Sequence, residues 1–285
     1  MKYYKNFPLR LLSSFRIGGN ADILALPETP EEVQEVMEKI SRERIPWVVV
    51  GRGTNVLFSD EGFRGMVIST IRMRGTRRED GRVKAFSGTS LSSLISQNLR
   101  TGFGGIEELV GIPGTVGGAV WMNAGSFGVE TGRFVKRVRG ILDGEWREER
   151  PEFEYRKALL PSGFLIVEVE FEFHPRERKE MEEVLRECVK RRKRTQPLGE
   201  KSAGCVFRNP PGESAGKLIE DVGLKGFCMG DACVSAVHAN FIVNRGNARA
   251  KDVLELVKLI KERVYEKKGI LLEEEIRVIP EKVQA

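Results

Sequence analysis

The clearest periodicity in the chain is "TPEEVQEVMEKI", where Val33, Val36, Met37 and Ile40 recur at helical spacing behind Thr29, Pro30 and Glu32. Thr29 reads as the N-cap and Pro30 as the first helical residue. The apolar run "PWVVV" predicts a buried strand, and "MVIST" a second one. Further on, "FLIVEVEFEF" alternates: Val167, Val169, Phe171 and Phe173 against Glu168, Glu170 and Glu172, which predicts one packed face and one wet face. Helices are expected near Leu91 to Leu99, over 176–194, near 214–222 with Gly223 ending it, and over 251–268 with Val253, Leu254, Val257, Ile260 and Val264 as the stripe. "GILLEEEIRVI" reads as a closing strand. Residues 1–73, 74–194 and 195–268 thus form three stretches, with a strand in 269–285 expected to return to the first.

Two glycine-rich loops interrupt these patterns. "GRGTNV" follows "PWVVV", and "GIPGTVGG" lies about sixty residues later. A Pro fixing φ among glycines that allow positive φ makes a turn whose N–H groups can converge on a ligand, most often a phosphate. The first loop is not a dinucleotide fingerprint, because its spacing is G-x-G-x-N and no amphipathic helix follows. For that loop alone, a tight turn and a phosphate cradle both stay open. Two such loops could grip a long, doubly phosphorylated ligand from either side.

Composition narrows the class. With 285 residues, 40% hydrophobic, the chain can bury two or three cores. Net charge is +6, and charged residues make up 31%. The one dense basic run is "KRRKR", Lys190 to Arg194, which is either a solvated helix end or an anion site. The net positive balance would suit nucleic acid, a membrane surface or a small polyanion, but the charge is otherwise spread through the chain, and no nucleic acid and no membrane are expected as partners. No apolar stretch nears the roughly 18 residues of a span and the N-terminus lacks a signal core, so a cytoplasmic protein is expected; the sequence leaves its oligomeric state open, with a monomer as the default expectation. Cys188, Cys205, Cys228 and Cys233 contain no C-x-x-C pair, and only His174 and His238 could join them. No metal site is expected, and the thiols should be reduced.

The motifs "GRGTNVLFSD", "GIPGTVGGAVWMNAGSFG", "FEYR", "QPLGEKSAGCVFRNP", "AGKLIEDVGLKG", "HANFIVN" and "GILLEEEIRVI" occur here in the order found in UDP-N-acetylenolpyruvoylglucosamine reductases, which the chain resembles from about residue 13 to 279. The resemblance implies an α+β fold: a bipartite FAD-binding domain of the vanillyl-alcohol-oxidase/PCMH type, here 1–73 and 74–194, plus a smaller α+β substrate-binding domain over 195–268. It implies FAD as cofactor and NADPH as co-substrate. The FAD would lie against Gly51, Arg52, Gly53, Thr54 and Asn55 of the first loop, Gly111, Ile112, Pro113, Gly114, Thr115, Gly117 and Gly118 of the second, and Asn123, Ala124 and Gly125. The stretch from Arg156 to Phe164 is too short for the substrate-covering loop of longer members.

The implied reaction is reduction of the enolpyruvyl group of a UDP-sugar to UDP-N-acetylmuramate, a peptidoglycan precursor. Hydride adds to the terminal carbon, charge builds on C2 and its carboxylate, and C2 needs a proton. Arg156 of "FEYR" matches the family's catalytic arginine, whose fork suits a carboxylate; read alone it is a surface residue ending a strand. Glu275 matches the active-site glutamate, although read alone Glu273 and Glu275 share a side and neither stands out. Cys205 occupies the proton-donor position, where Ser is usual. A thiol, with an ordinary pKa of about 8.5, is a competent acid, and a structural cysteine is the alternative. Tyr155, Lys193, Arg208 and Asn209 are expected at the substrate, and His238 as a turn residue. Two other functions compete: an FAD-dependent oxidase of the same fold, disfavoured because no His stands near either loop, and a nucleotide-binding protein without catalysis.

Overall fold

The computed structural model describes residues 1–280, so the last part of the expected 269–285 strand, residues 281–285, lies outside the described residues. The chain forms two compact units and passes back and forth between them: one holds Met1–Tyr4, Ile23–Arg52 and Gly65–Arg192, the other Lys5–Asp22, Gly53–Arg64 and the rest from Lys193.

In the first unit, α1 (Pro30–Glu43) starts as its sequence dictates. The Thr29 hydroxyl accepts the Glu32 N–H at 3.2 Å, and Val33, Val36, Met37 and Ile40 are buried. They pack with Met66, Ile68, Ile141, Leu165 and Val167. Trp47–Val50 runs parallel to Phe63–Ser69, with Trp47 opposite Met66. A five-stranded antiparallel sheet follows, in the order Glu145–Glu149, Val135–Leu142, Leu165–Glu172, Arg82–Phe86, Thr76–Glu79. α2 (Leu91–Thr101), capped by Ser90 and ended by left-handed Gly102, and α3 (Val116–Trp121) lie in the core with Val169, Phe171 and Phe173. α4 (Arg178–Thr195) closes this stretch. The wet face expected for Leu165–Glu172 is only partly wet. Glu170 is buried at 9% exposure and pairs with Arg137 at 3.1 Å, which offsets its desolvation.

The second unit carries a four-stranded antiparallel sheet, ordered Ser202–Cys205, Phe241–Asn244, Ala232–Val234, Cys228–Met229. α5 (Ala215–Asp221) and α6 (Ala250–Lys268) pack on it. On α6 the buried stripe includes Leu256, whereas Leu254 is only partly buried. The closing strand is shorter than the alternation suggests: only Arg277–Ile279 forms ladder, parallel to Val56–Phe58. One cysteine expectation is corrected. Cys228 and Cys233 stand directly opposite each other across a tight hairpin and form a disulfide, with Cα atoms 4.0 Å apart. A search for C-x-x-C overlooks such a pair, because here the hairpin register and not a helical turn brings the sulfurs together. Cys188 and Cys205 take part in no disulfide among the described residues.

Candidate functional site

In the first unit the two glycine loops meet directly. Gly51 packs against Thr115 so closely that an added Cβ would sit 2.3 Å from the Thr115 Oγ1. The second loop does not stay a loop, because Thr115 caps α3, which begins inside the motif. Two glycines in six residues hid this helix from periodicity. The N–H groups of Val116 and Gly117 donate to the Thr89 and Ser87 carbonyls, both at 2.8 Å, so the chain itself uses them. Gly117 is buried and an added Cβ would come 2.7 Å from Ser87 Cβ, while at exposed Gly118 it would meet only Thr115 Oγ1 at 3.5 Å. Gly111 turns at φ +81°, Ile112 N–H donates to Leu109 O at 3.1 Å, Pro113 is exposed, and the Gly114 carbonyl accepts the Leu91 N–H at 3.2 Å.

Beside this junction lies a cavity of about 340 Å³ lined by Arg52, Arg74, Thr76, Thr89, Ser90, Ser93, Gln97 and Thr115, among others. Sequence reasoning missed Arg74 to Gln97. The one available signal was the hydroxyl-rich "SGTSLSS" leading into α2. Guanidinium, hydroxyl and amide groups around one hollow suit an anionic, hydroxyl-bearing ligand such as the ADP half of FAD.

Arg156 stands in the same unit, at the two-residue turn between Glu152–Glu154 and Lys157–Leu159. Its φ of +60° is uncommon for a residue with a side chain, and it is half-buried rather than a surface residue. Its guanidinium lies 4.8 Å from the exposed Tyr155 ring and presses on Gly125, where an added Cβ would come 2.8 Å from its Nη1. Asn123 is buried, and its side chain is fully engaged: Nδ2 donates to Glu130 Oε2 and the Glu154 carbonyl, both at 2.9 Å, and Oδ1 accepts the Gly132 N–H at 2.9 Å. It holds together the segments that present Gly125 and Arg156.

The second unit brings the rest of the first loop to the other two candidates. Gly53 has φ +65° and packs on the Leu12 carbonyl; Thr54 and Asn55 follow. Asn55 Nδ2 donates to the Glu275 carbonyl at 3.1 Å, and the Glu275 N–H donates to Val206 O at 2.7 Å, one residue past Cys205. Left-handed Gly204 precedes the half-buried Cys205. The run of glutamates is resolved by its neighbours. Glu273 pairs with Arg208 at 3.8 Å and Glu274 with Lys261 at 2.9 Å, both exposed, while Glu275 is half-buried. Lys193 is exposed. Asn209 has a job the motif did not suggest, since its Oδ1 accepts the Ala215 N–H at 3.0 Å at the start of α5. His238 Nδ1 accepts the Asn240 N–H at 3.2 Å, and burial pushes the imidazole below its ordinary 6.5. That fits a neutral turn residue.

The first unit thus offers a hydroxyl- and guanidinium-lined cavity where the two loops meet, and a half-buried arginine; the second offers a thiol and a carboxylate on paired segments. These groups suit a flavoprotein oxidoreductase acting on a carboxylated substrate. Sequence comparison agrees at that level: an FAD binding domain matches residues 21–145, and the UDP-N-acetylenolpyruvoylglucosamine reductase C-terminal domain matches 196–279. The chain is 40% identical to the UDP-N-acetylenolpyruvoylglucosamine reductase of Syntrophotalea carbinolica, over 95% of this chain and 92% of that protein. It is 40% identical to that of Clostridioides difficile, over 96% and 92%. The crystal structure of the Thermus caldophilus enzyme superposes with a TM-score of 0.83 at 38% identity, covering 98% of each chain. The chain belongs to the UDP-N-acetylenolpyruvoylglucosamine reductases. It is an FAD-dependent oxidoreductase with the α+β fold of that family. Among the described residues no helix is long and apolar enough to cross a membrane.

Proposed function

We propose that Arg156, Glu275 and Cys205 carry the reduction of UDP-N-acetylglucosamine enolpyruvate to UDP-N-acetylmuramate, an assignment supported chiefly by the 2.7 Å bond that ties Glu275 to the residue after Cys205. Bound FAD would supply hydride-transfer chemistry, with NADPH as the hydride source and the terminal carbon of the enolpyruvyl group as the acceptor. Arg156 binds the substrate carboxylate and stabilises the charge that develops there, a role its planar fork suits and its half-buried setting strengthens. Glu275 orients the enol ether. The Cys205 thiol donates the proton to C2.

Arg52, Thr115 and the other residues lining their cavity would hold the ADP half of the cofactor, and the exposed backbone at Gly118 would leave it room. Tyr155, Lys193 and Arg208 face the nucleotide sugar. Asn209 serves α5 first, and any substrate contact uses its other atoms. Most of residues 1–73 and 74–194 then build the cofactor domain, while 195–268 builds the substrate domain on a core shared with Lys5–Asp22 and Gly53–Arg64, in the cytoplasm where nucleotide sugars are made.

The test separates the half-reactions. Arg156→Ala and Glu275→Gln should each lower reoxidation of the reduced enzyme by substrate by about 10² to 10³. Reduction by NADPH should change little. Cys205→Ser should keep most turnover and Cys205→Ala lose most product while still accepting hydride. An alanine variant that reoxidises as fast as the parent would make Cys205 a packing residue, and equal losses in both half-reactions would mean a damaged flavin site.

A further inference from the structure

Arg192 is the buried member of the basic run, at 5% exposure in the last turn of α4. Its neighbours Arg191, Lys193 and Arg194 are exposed, as a solvated helix end would be. Burying a guanidinium is costly unless its donors are engaged, so the place where this one reaches is informative. Nη2 donates to Ser126 Oγ at 2.7 Å. The guanidinium lies 5.2 Å from the Phe127 ring, and that of Arg191 lies 4.8 Å from the same ring. Its stem abuts Gly111, where an added Cβ would stand 2.9 Å from Cδ and 3.4 Å from Nε.

Those contacts tie α4 to two segments. Gly111 opens the second glycine loop. Ser126 and Phe127 belong to the hairpin of Gly125–Ser126 and Val129–Glu130, whose turn residues Phe127 and Gly128 are both left-handed. The hairpin in turn supports Arg156: Gly125 lies against its Nη1, and Glu130 is gripped by Asn123, which also holds the Glu154 carbonyl two residues before Arg156.

We infer that Arg192 is a positioning residue that fixes this hairpin, and through Gly125 sets where the Arg156 guanidinium meets the substrate carboxylate; the inference rests on the reading of Arg156 given above. A bidentate carboxylate contact is sensitive to small displacements, so a loosened hairpin slows the substrate step without touching hydride uptake. Lys in place of Arg192 keeps the charge and most of the stem but loses the fork. Ser126→Ala removes only the acceptor and leaves α4 intact, so it stays informative if Arg192→Lys folds poorly.

Both variants would be purified with FAD and compared in stopped flow with Arg156→Ala and with the corresponding double variants. Each single variant should slow substrate reoxidation by about 10-fold, leave reduction by NADPH within about twofold, and add nothing further in the Arg156→Ala background. Reoxidation unchanged in both single variants, or full additivity with Arg156→Ala, would overturn the inference and leave Arg192 a packing residue. An Arg156→Ala enzyme with normal reoxidation would instead sink the reading of Arg156 itself.

Discussion

Within "IPGTVGG" the two adjacent glycines do different work, and substitution separates them. Gly117 lets α3 pack on Ser87, so Gly117→Val forces a methyl-bearing carbon into a 2.7 Å approach. It should cost about 1–3 kcal/mol of stability through overpacking, read as a lowered urea midpoint. Gly118 is exposed and an added Cβ would make only an ordinary contact with the Thr115 hydroxyl, so Gly118→Val should keep the midpoint within about 0.5 kcal/mol, as for other surface changes, and purify with little flavin. A yellow, stoichiometric Gly118→Val protein would remove that glycine from the cofactor cradle. Motif reading treats the pair as equivalent, since both are glycines in one signature. Only the neighbouring chain, Ser87 from 30 residues earlier in the sequence, distinguishes them. The same holds for Glu273 and Glu275, which share a strand face on paper and differ because Arg208 takes one of them.

The helices with a clear apolar stripe, α1 with its Thr29 cap and α6, fall close to where the spacing predicts them, and α2 and α4 also lie near the ranges expected for them. Elements built from glycine or pinned by distant groups were not. α6 shows the second kind. Its N-cap position is Arg249, a poor capping residue, and the first N–H groups are instead satisfied by Asp60, whose carboxylate accepts from Ala250 at 2.8 Å and Lys251 at 3.0 Å across 190 residues of sequence. Asp60→Ala should therefore destabilise the protein by about 0.5–2 kcal/mol, with Asp60→Asn recovering part of the loss, as caps elsewhere do. Denaturant unfolding of the three proteins measures it, and an alanine variant as stable as the parent would show that water caps α6 equally well. The hairpin carrying Gly125 escaped notice for the first reason, since "GSFGVE" has no period to read.

At the scale of the whole molecule, pH acts on stability through His238. Burial lowers its pKa below the ordinary 6.5, so just under that pH the folded chain binds fewer protons at this ring than the unfolded chain does. Stability is then fully present above pH 6.5 and falls as acid drives the ring toward its folded-state pKa. His238→Gln keeps an acceptor for the Asn240 N–H and should flatten the decline of thermal midpoint between about pH 7.5 and 5. Identical slopes in both proteins would show that the ring is not the linked group. The division of the chain has a consequence for how it is made. Phe15, Ile17 and Leu57 are buried in the same core as Val206, Ile219 and Val257, and the Phe15 carbonyl accepts from Asn244, 229 residues downstream. On the ribosome these early apolar side chains emerge long before the sheet and helices that cover them. A fragment that starts at Lys193 lacks the three of them, so the unit bearing Cys205 and Glu275 completes its core only when the first and last thirds of the chain exist together.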